Sequence, residues 1–331
     1  MADDVLSGAP VGRGEALWLA AEADFETLLF HADRVRGHFC GNAVHLCAIV
    51  NAKSGACSED CAFCSQSARH RTDASVYPLL AKAAIVAAAH DGAAAGADRF
   101  GIVTSGESTC RNRRDFAVIC EAADEIEARG DIRACCSIGS LGADDAARLF
   151  AAGVRRIHHN LETSARFYPQ ICTTHSHESR VETVRTAKAA GLEVCCGGLF
   201  GLGETWEDRV DLALHLRELD VDSVPINFLN PVAGTPLGDR PLLAPREALR
   251  VVAVYRFLLP TREIKVCGGR EVTLRDLQSW MFRAGASGTM VGNYLTTTGR
   301  PAAADLQMLR DLGLVPRSGA RSSLHRGPSS A

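Results

Sequence analysis

The stretch Cys57-Ser58-Glu59-Asp60-Cys61-Ala62-Phe63-Cys64 sets three cysteines at C-x3-C-x2-C spacing, shortly after the apolar run 44–50. Three thiolates on one short loop suit an iron–sulfur cube, since thiolate is the usual ligand of such clusters. A [4Fe–4S] cluster ordinarily takes four cysteines, and no fourth follows nearby, so one iron would stay open to another molecule. The competing readings are a structural zinc site completed by His70 and a cysteine loop that binds nothing. Zinc usually asks for a second C-x2-C or H-x3-5-H half, which the neighbouring sequence lacks.

Working outward from this loop, short apolar runs alternate with amphipathic segments. The runs predict strands at 44–50, 99–104, 132–138, 154–160, 193–199, 223–229, 263–267 and 288–292. Between them helices are expected at 79–95, 115–129, 143–152, 177–190, 206–219, 245–259 and 273–284. Asp144, Glu178 and Glu207 fall in first turns, and Gly130, Gly153 and Gly191 just past helix ends, as the dipole and C-cap rules favour. Eight such repeats predict an α/β fold, a (β/α)8 TIM-type barrel over residues 41–315. The rival is a doubly wound open sheet, but no G-x-G-x-x-G follows the first strand. The cysteine loop stands there instead, at the C-terminal strand end where barrels place their active sites. Ahead of the barrel, Leu17, Leu19, Ala20, Phe25, Leu28, Leu29 and Val35 recur at helical spacing and predict an N-terminal helical extension over 13–40. Residues 1–12 read as a flexible tail and 316–331 as a disordered one.

The chain's 331 residues accommodate one barrel with extensions. A formal net charge of −3 argues against nucleic acid or an anionic membrane as partner. No run of 18 apolar residues is present, and Met1-Ala2-Asp3-Asp4 does not resemble the start of a secretory signal. The expected location is therefore cytoplasmic. In that reducing setting 13 cysteines point to metal ligation or buried thiols, not to disulfides. Cys40, Cys110, Cys120 and Cys172 read as ordinary small hydrophobes.

The remaining strand ends carry a second constellation: Cys135-Cys136-Ser137, His158-His159-Asn160-Leu161-Glu162-Thr163, Cys195-Cys196-Gly197-Gly198, Ser223-Val224-Pro225-Ile226-Asn227 and Cys267-Gly268-Gly269-Arg270-Glu271. Singly each has a plain explanation in packing or turns. Sulfur or polar groups at five of eight strand ends describe a site.

The cysteine triplet with an aromatic before its last member resembles the signature of radical S-adenosylmethionine (SAM) enzymes. With Lys53-Ser54-Gly55-Ala56-Cys57 through Ser65-Gln66-Ser67, Gly201-Leu202-Gly203-Glu204 and the strand ends above, residues 15–315 resemble the biotin synthase family. The resemblance implies a homodimeric barrel that converts dethiobiotin to biotin, cleaving two SAM molecules to 5′-deoxyadenosine and methionine. The sulfur would come from a second, sacrificial iron–sulfur cluster, and electrons from a flavodoxin- or ferredoxin-type protein. By position, Cys57, Cys61 and Cys64 would hold the [4Fe–4S] cluster that binds SAM. Asn160, Glu162 and Asn227 would contact dethiobiotin and SAM, and Cys135, Cys195 and Arg270 would ligate the auxiliary cluster, [2Fe–2S] in the family. Two positions depart from the pattern. Gly101 follows Arg99-Phe100 where a fourth auxiliary ligand, a cysteine, is expected, and His158 stands in place of an asparagine. The alternatives are another barrel enzyme of the same superfamily, akin to the iron–iron hydrogenase maturases, and a zinc- or redox-sensing protein.

The missing cysteine suggests another arrangement. Cys47, Cys135 or Cys136, Cys195 or Cys196, and Cys267 lie on the first, third, fifth and seventh strands. Inward side chains of alternate barrel strands share a layer, and successive strand residues face opposite ways. Cys47, Cys135, Cys195 and Cys267 are thus expected to converge on an auxiliary cluster, of four irons, with Arg270 beside it. The plainer reading makes Cys47 and Cys267 core packing.

Overall fold

The computed structural model describes residues 1–317. Ten strands lie in chain order: β1 (Ala43–Lys53), β2 (Arg99–Thr104), β3 (Arg133–Ser137), β4 (Arg156–His158), β5 (Glu193–Cys195), β6 (Gly198–Phe200), β7 (Ser223–Phe228), β8 (Glu263–Val266), β9 (Gly288–Met290) and β10 (Val315–Pro316). All pairings are parallel, and β1 pairs with both β2 and β9, so the sheet closes on itself. This is the expected (β/α)8 barrel, and the open sheet is excluded. Its fifth strand, expected unbroken over 193–199, is two pieces, β5 and β6, with Cys196-Gly197 between them. Gly197 comes so close to the Pro225 carbonyl that a Cβ there would clash.

Strand alternation sorts the residues. In β2, Phe100 and Ile102 are fully buried in the layer between sheet and helices, whereas Arg99, Gly101 and Val103 line the interior. Each such apolar side chain removed from water contributes about 1.5–3 kcal/mol. The outer ring is formed by α4 (Lys82–Ala94), α5 (Arg113–Arg129), α6 (Ala143–Ala151), α7 (His177–Ala189), α8 (Trp206–Glu218) and α9 (Pro245–Leu258). In α5, Phe116, Ile119, Ala122, Ala123 and Ile126 form the buried stripe. Asn112 caps it by accepting from the amides of Arg114 and Asp115, and Gly130 ends it at φ 76°.

The N-terminal extension holds α2 (Arg13–Ala21) and α3 (Phe25–Cys40), which pack against α8 and α9. Residues 1–12 are not a flexible tail here. They include α1 (Ala2–Leu6), and Val5 and Val11 are buried in the main core. Two apolar side chains in a Gly- and Pro-containing stretch are too few to make a periodic signal. The helix expected over 273–284 is broken into α10 (Arg270–Leu274), a 3-10 turn and α11 (Trp280–Arg283), because Arg275 adopts φ 50°. A further helix, α12 (Ala302–Asp311), precedes β10. Pro316 pairs with Val44 and the Arg317 amide donates to the Val44 carbonyl, so the expected C-terminal tail does not begin at 316. The rest of that expectation, from 318 on, lies outside the described residues. Among the described residues no helix is long and apolar enough to cross a membrane.

Candidate active site and its two sulfur groups

One cavity of about 490 Å³ opens inside the barrel. Cys57, Cys61 and Cys64 line it from the loop after β1, and Cys47, Cys135, Cys195 and Cys267 line it from the strands themselves. Asn160, Glu162 and Asn227 border the same space.

The loop is held by its backbone. The Cys57 amide donates to Gln66 O, Ala68 N to Cys57 O, and Cys64 N to Cys61 O. Gln66 Oε1 accepts from Gly55 N and Ser54 Oγ, both at 3.1 Å. Gly55 adopts φ 72° with Val76 packed where a Cβ would stand, so the sharp entry to the loop requires glycine. His70, the expected fourth ligand of the zinc reading, bonds the Cys61 carbonyl at 3.1 Å through Nε2 and is engaged away from the sulfurs. Three thiols from the loop, with His70 engaged elsewhere, match the donor set of a cube with one open iron.

The strand cysteines obey the alternation argument. Cys195 lines the cavity while Cys196 is wholly buried in the outer apolar layer; Cys135 and Cys136 both border the cavity, but Cys136 is also packed into that apolar layer. Cys47 and Cys267, for which core packing was the alternative, both face the cavity. Gly101 borders it too. A Cβ there would meet Ile49 Cγ2 at 3.1 Å, so a side chain at the β2 position where a fourth cysteine was expected would crowd Ile49.

Arg270 does not join this group. It is fully buried behind the turn, with Nη2 bonding Asp305 at 2.9 Å and Glu271 at 3.3 Å, and Nη1 bonding Thr289 at 3.1 Å. It does not line the cavity, because it opens α10 after the Gly268-Gly269 turn instead of continuing the strand face. The cation among the thiols is Lys265, whose Nζ lies 3.2 Å from Cys47 Sγ and 3.0 Å from Glu263 Oε1. Strand parity was the available signal, since residues 265 and 267 share a face.

Lys265 belongs to a buried ionic layer on the barrel floor. Arg156 Nη1 contacts both oxygens of Glu263 at 3.1 and 3.0 Å, and its Nε bonds Glu193 at 2.8 Å. Arg99 also bonds Glu193, at 3.0 Å. His45 Nε2 lies 3.3 Å from Glu263, and its Nδ1 2.8 Å from Asp98. Burial opposes the charge on Glu263, yet Lys265 and Arg156 hold its carboxyl well below the usual range. Burial likewise opposes the ammonium of Lys265, and the neighbouring Cys195, Cys47 and Glu263 more than restore it. Desolvation drives the Cys47 thiol up to about 12. Cys195 goes the other way, to about 6, because Lys265 and His158 outweigh its burial. His158 Nδ1 sits 3.4 Å from Cys195 Sγ.

At the mouth, Asn160 Oδ1 accepts from Gly197 N at 3.1 Å, and Glu162 adopts φ 68° at the end of the fourth strand. Arg180, from α7, donates to the Asn160 carbonyl at 2.9 Å and stands 3.7 Å from Glu162. Asn227 fastens two segments: its Oδ1 accepts from Gly268 N at 3.0 Å, and its Nδ2 donates to Gly198 O at 3.2 Å. Cys172, expected to be an ordinary hydrophobe, lies 3.8 Å from Cys61, sulfur to sulfur. Nothing in local spacing announced that contact, because 111 residues separate the two.

A closed barrel with a three-cysteine loop at its mouth defines a radical SAM enzyme. Residues 52–216 match the radical SAM superfamily, and residues 225–315 match the Biotin and Thiamin Synthesis associated domain. The biotin synthase of Geobacter sulfurreducens is 55% identical over 96% of this chain and 97% of its own length. That of Pelobacter propionicus is 52% identical over 95% and 96%. The chain belongs to the biotin synthase family, sulfurtransferases of the radical SAM class. Among solved structures, methylornithine synthase superposes with a TM-score of 0.81 at 20% identity, over 96% of this chain and 97% of that one. The FeFe-hydrogenase maturase HydG from Carboxydothermus hydrogenoformans gives 0.80 at 18%, over 95% and 78%. These likenesses show the fold alone, so the hydrogenase-maturase alternative is not favoured.

Proposed function

We propose that the cavity holds SAM and dethiobiotin between its two sulfur groups, and that the chain inserts sulfur between two carbons of dethiobiotin to make biotin. The observation that carries this reading is the single cavity lined by loop thiols at the mouth and strand thiols at the floor. Cys57, Cys61 and Cys64 would hold the [4Fe–4S] cube; Cys47, Cys135, Cys195 and Cys267 would hold an auxiliary cluster of four irons, with Lys265 in the place first given to Arg270. When bound, these groups supply a SAM-derived radical able to take hydrogen from an unactivated carbon, and the sulfur atom itself, chemistry beyond acid–base side chains.

The chain's own residues bind, orient and shield. Asn160, Glu162 and Asn227 offer polar contacts to the two small molecules at the strand ends, and Arg180 fixes the Asn160–Glu162 segment. The apolar barrel wall keeps water from the reacting carbons. Lys265, Arg156 and Arg99 put positive charge beneath thiols that must be ionised to bind iron. The reading also places the enzyme in the cytoplasm as a homodimer fed by a flavodoxin- or ferredoxin-type reductant.

The test is anaerobic incubation of iron-loaded protein with SAM, a strong reductant and dethiobiotin. Biotin and 5′-deoxyadenosine should form together. Release of 5′-deoxyadenosine without biotin, from protein carrying its full iron, would overturn the substrate assignment.

A further inference from the structure

Among the described residues, Cys61, Cys172 and His175 bring three metal-ligating atoms within 4.8 Å of one another. Cys172 and His175 come from the segment between β4 and α7, which is tied to the cysteine loop. Ala62 N donates to Ile171 O at 2.8 Å, and Asp60 Oδ1 accepts from the amides of Thr173 at 2.9 Å and Thr174 at 3.3 Å.

The distances are those of one ion. Cys61 Sγ and Cys172 Sγ are 3.8 Å apart, and His175 Nε2 is 3.6 Å from the first and 3.5 Å from the second. A tetrahedral zinc ion with ordinary bond lengths has S···S edges of about 3.8 Å and S···N edges of about 3.6 Å. Thiolates on neighbouring irons of a cube splay outward, so Cys172 stands too near Cys61 to serve an adjacent iron. His175 also has the partner a metal-bound imidazole needs. Its Nδ1 is 2.7 Å from the Tyr168 hydroxyl, which is itself fixed by Arg180 Nε at 2.6 Å. Cys172 Sγ is 3.6 Å from Nδ1 as well, so the ring must turn to aim Nε2 between the sulfurs. Glu59 Oε2 lies 4.0 Å from Nε2 but outside the 4.8 Å circle of the trio, so the fourth position is left to solvent.

We propose that Cys61, Cys172 and His175 form a mononuclear site for a divalent transition cation of the zinc class in the cluster-free chain. Because Cys61 is also assigned to the cube, the ion and the cube exclude each other; this half rests on the function proposed above. Binding breaks two S–H bonds and forms two metal–sulfur bonds. Two protons pass to solvent, and no electrons move. Zinc lodged here withholds Cys61 from cube assembly.

The first experiment titrates anaerobic, reduced, cluster-free protein with cobalt(II) as the probe. One equivalent should bind with tetrahedral d–d bands and sulfur-to-cobalt charge transfer, in the parent and in a Cys57→Ala/Cys64→Ala double variant, which keeps the trio. Cys172→Ser and His175→Ala should weaken that equivalent by at least the roughly 10–100-fold that loss of an outer-shell partner costs. Retention of the signal in Cys172→Ser, or its loss in the double variant, overturns the site. Should Cys172→Ser misfold by circular dichroism, X-ray absorption of zinc in the double variant decides. Two sulfurs near 2.3 Å and one nitrogen near 2.0–2.1 Å are expected, and any other count of sulfurs overturns the proposal. The second experiment adds iron and sulfide to zinc-loaded parent. The broad visible absorption of the cube should grow slowly and recover with a chelator, whereas zinc should have no effect in Cys172→Ser. Cobalt binding as predicted with no slowing of the cube would leave the site standing and overturn the shared role of Cys61.

Discussion

Replacing Glu263 by glutamine removes the carboxylate that Lys265 and Arg156 share on the barrel floor. Its side chain is 9% exposed and is contacted by Lys265 at 3.0 Å, Arg156 at 3.0 Å and His45 at 3.3 Å. Breaking a buried pair costs about 3–5 kcal/mol, because the partner charge stays desolvated. Arg156 keeps Glu193, but Lys265 keeps only the Cys47 sulfur among its close contacts, so the cost falls chiefly on the lysine. With an unfolding entropy of roughly 2.1 cal/mol/K per residue, a chain of 331 residues loses about 4–7 °C in Tm for that cost. The carboxyl pKa is depressed, so this stability is present above the ordinary carboxylate pKa and disappears only as pH falls through the lower native value. Calorimetry of cluster-free, reduced protein at neutral pH reads the shift directly. A Glu263→Gln/Lys265→Met double variant should recover part of the loss, with a coupling of about 1–3 kcal/mol. A single variant melting within about 1 °C of the parent, or a double variant in which the two losses simply add, would show that the pair carries no such energy.

Cys57→Ala, Cys61→Ala or Cys64→Ala should abolish SAM cleavage, and near-parental 5′-deoxyadenosine from any reconstituted variant would contradict the cube assignment. Cys47→Ala and Cys267→Ala should each lower auxiliary iron and abolish biotin while SAM cleavage continues; unchanged iron in either would return that residue to core packing. Asn227→Ala unpairs the Gly268 amide and the Gly198 carbonyl, a loss of about 1–3 kcal/mol. The proposed polar contact to dethiobiotin, worth the same order, should separately cut kcat/KM by roughly 5–150-fold at unchanged iron content, and loss of iron would make its role structural. Burial first, then Arg180 and His158, hold His159 well below 6.5, so the unfolded chain binds a proton below about pH 6.5 that the native chain refuses. Stability should therefore fall as pH drops from 6.5 to 5. His159→Gln should flatten that slope by up to about 1.4 kcal/mol per pH unit, and an unchanged slope would show that His159 is not its source.

What was legible in the sequence was local. The cysteine loop needs only neighbouring residues to be read, and the strands announce themselves as apolar runs, so the closed barrel and the seat of the loop were both accessible. Elements that depend on distant partners were not. Val5 is buried because α1 packs on α3, and the Val11 carbonyl accepts from Arg217 of α8, contacts their own segment does not encode. Arg275 interrupts a good helical pattern with a positive φ that no residue type signals. Cys172 looked inert because its partner Cys61 lies 111 residues away in sequence, on another loop.

The cation beside the strand thiols shows what strand periodicity adds to a resemblance. Alternation separates Cys195, which lines the cavity, from Cys196, and brings Cys267 inward just past the end of β8. Arg270 entered through the family resemblance, and strand parity does not support it: Gly268 and Gly269, the second at φ 75°, lie between Cys267 and Arg270, where the strand has ended and its period no longer holds. Counting back two residues instead stays on β8 and arrives at Lys265, on the same face as Cys267. The same step from Gly101 gives Arg99, which with Arg156 and Lys265 forms the floor. A cation beside buried thiols is favoured wherever metal binding must displace their protons. An arginine already bonded to Asp305 and Glu271 has little to offer them. Parity and charge thus select the same residue, and they do so without reference to any relative.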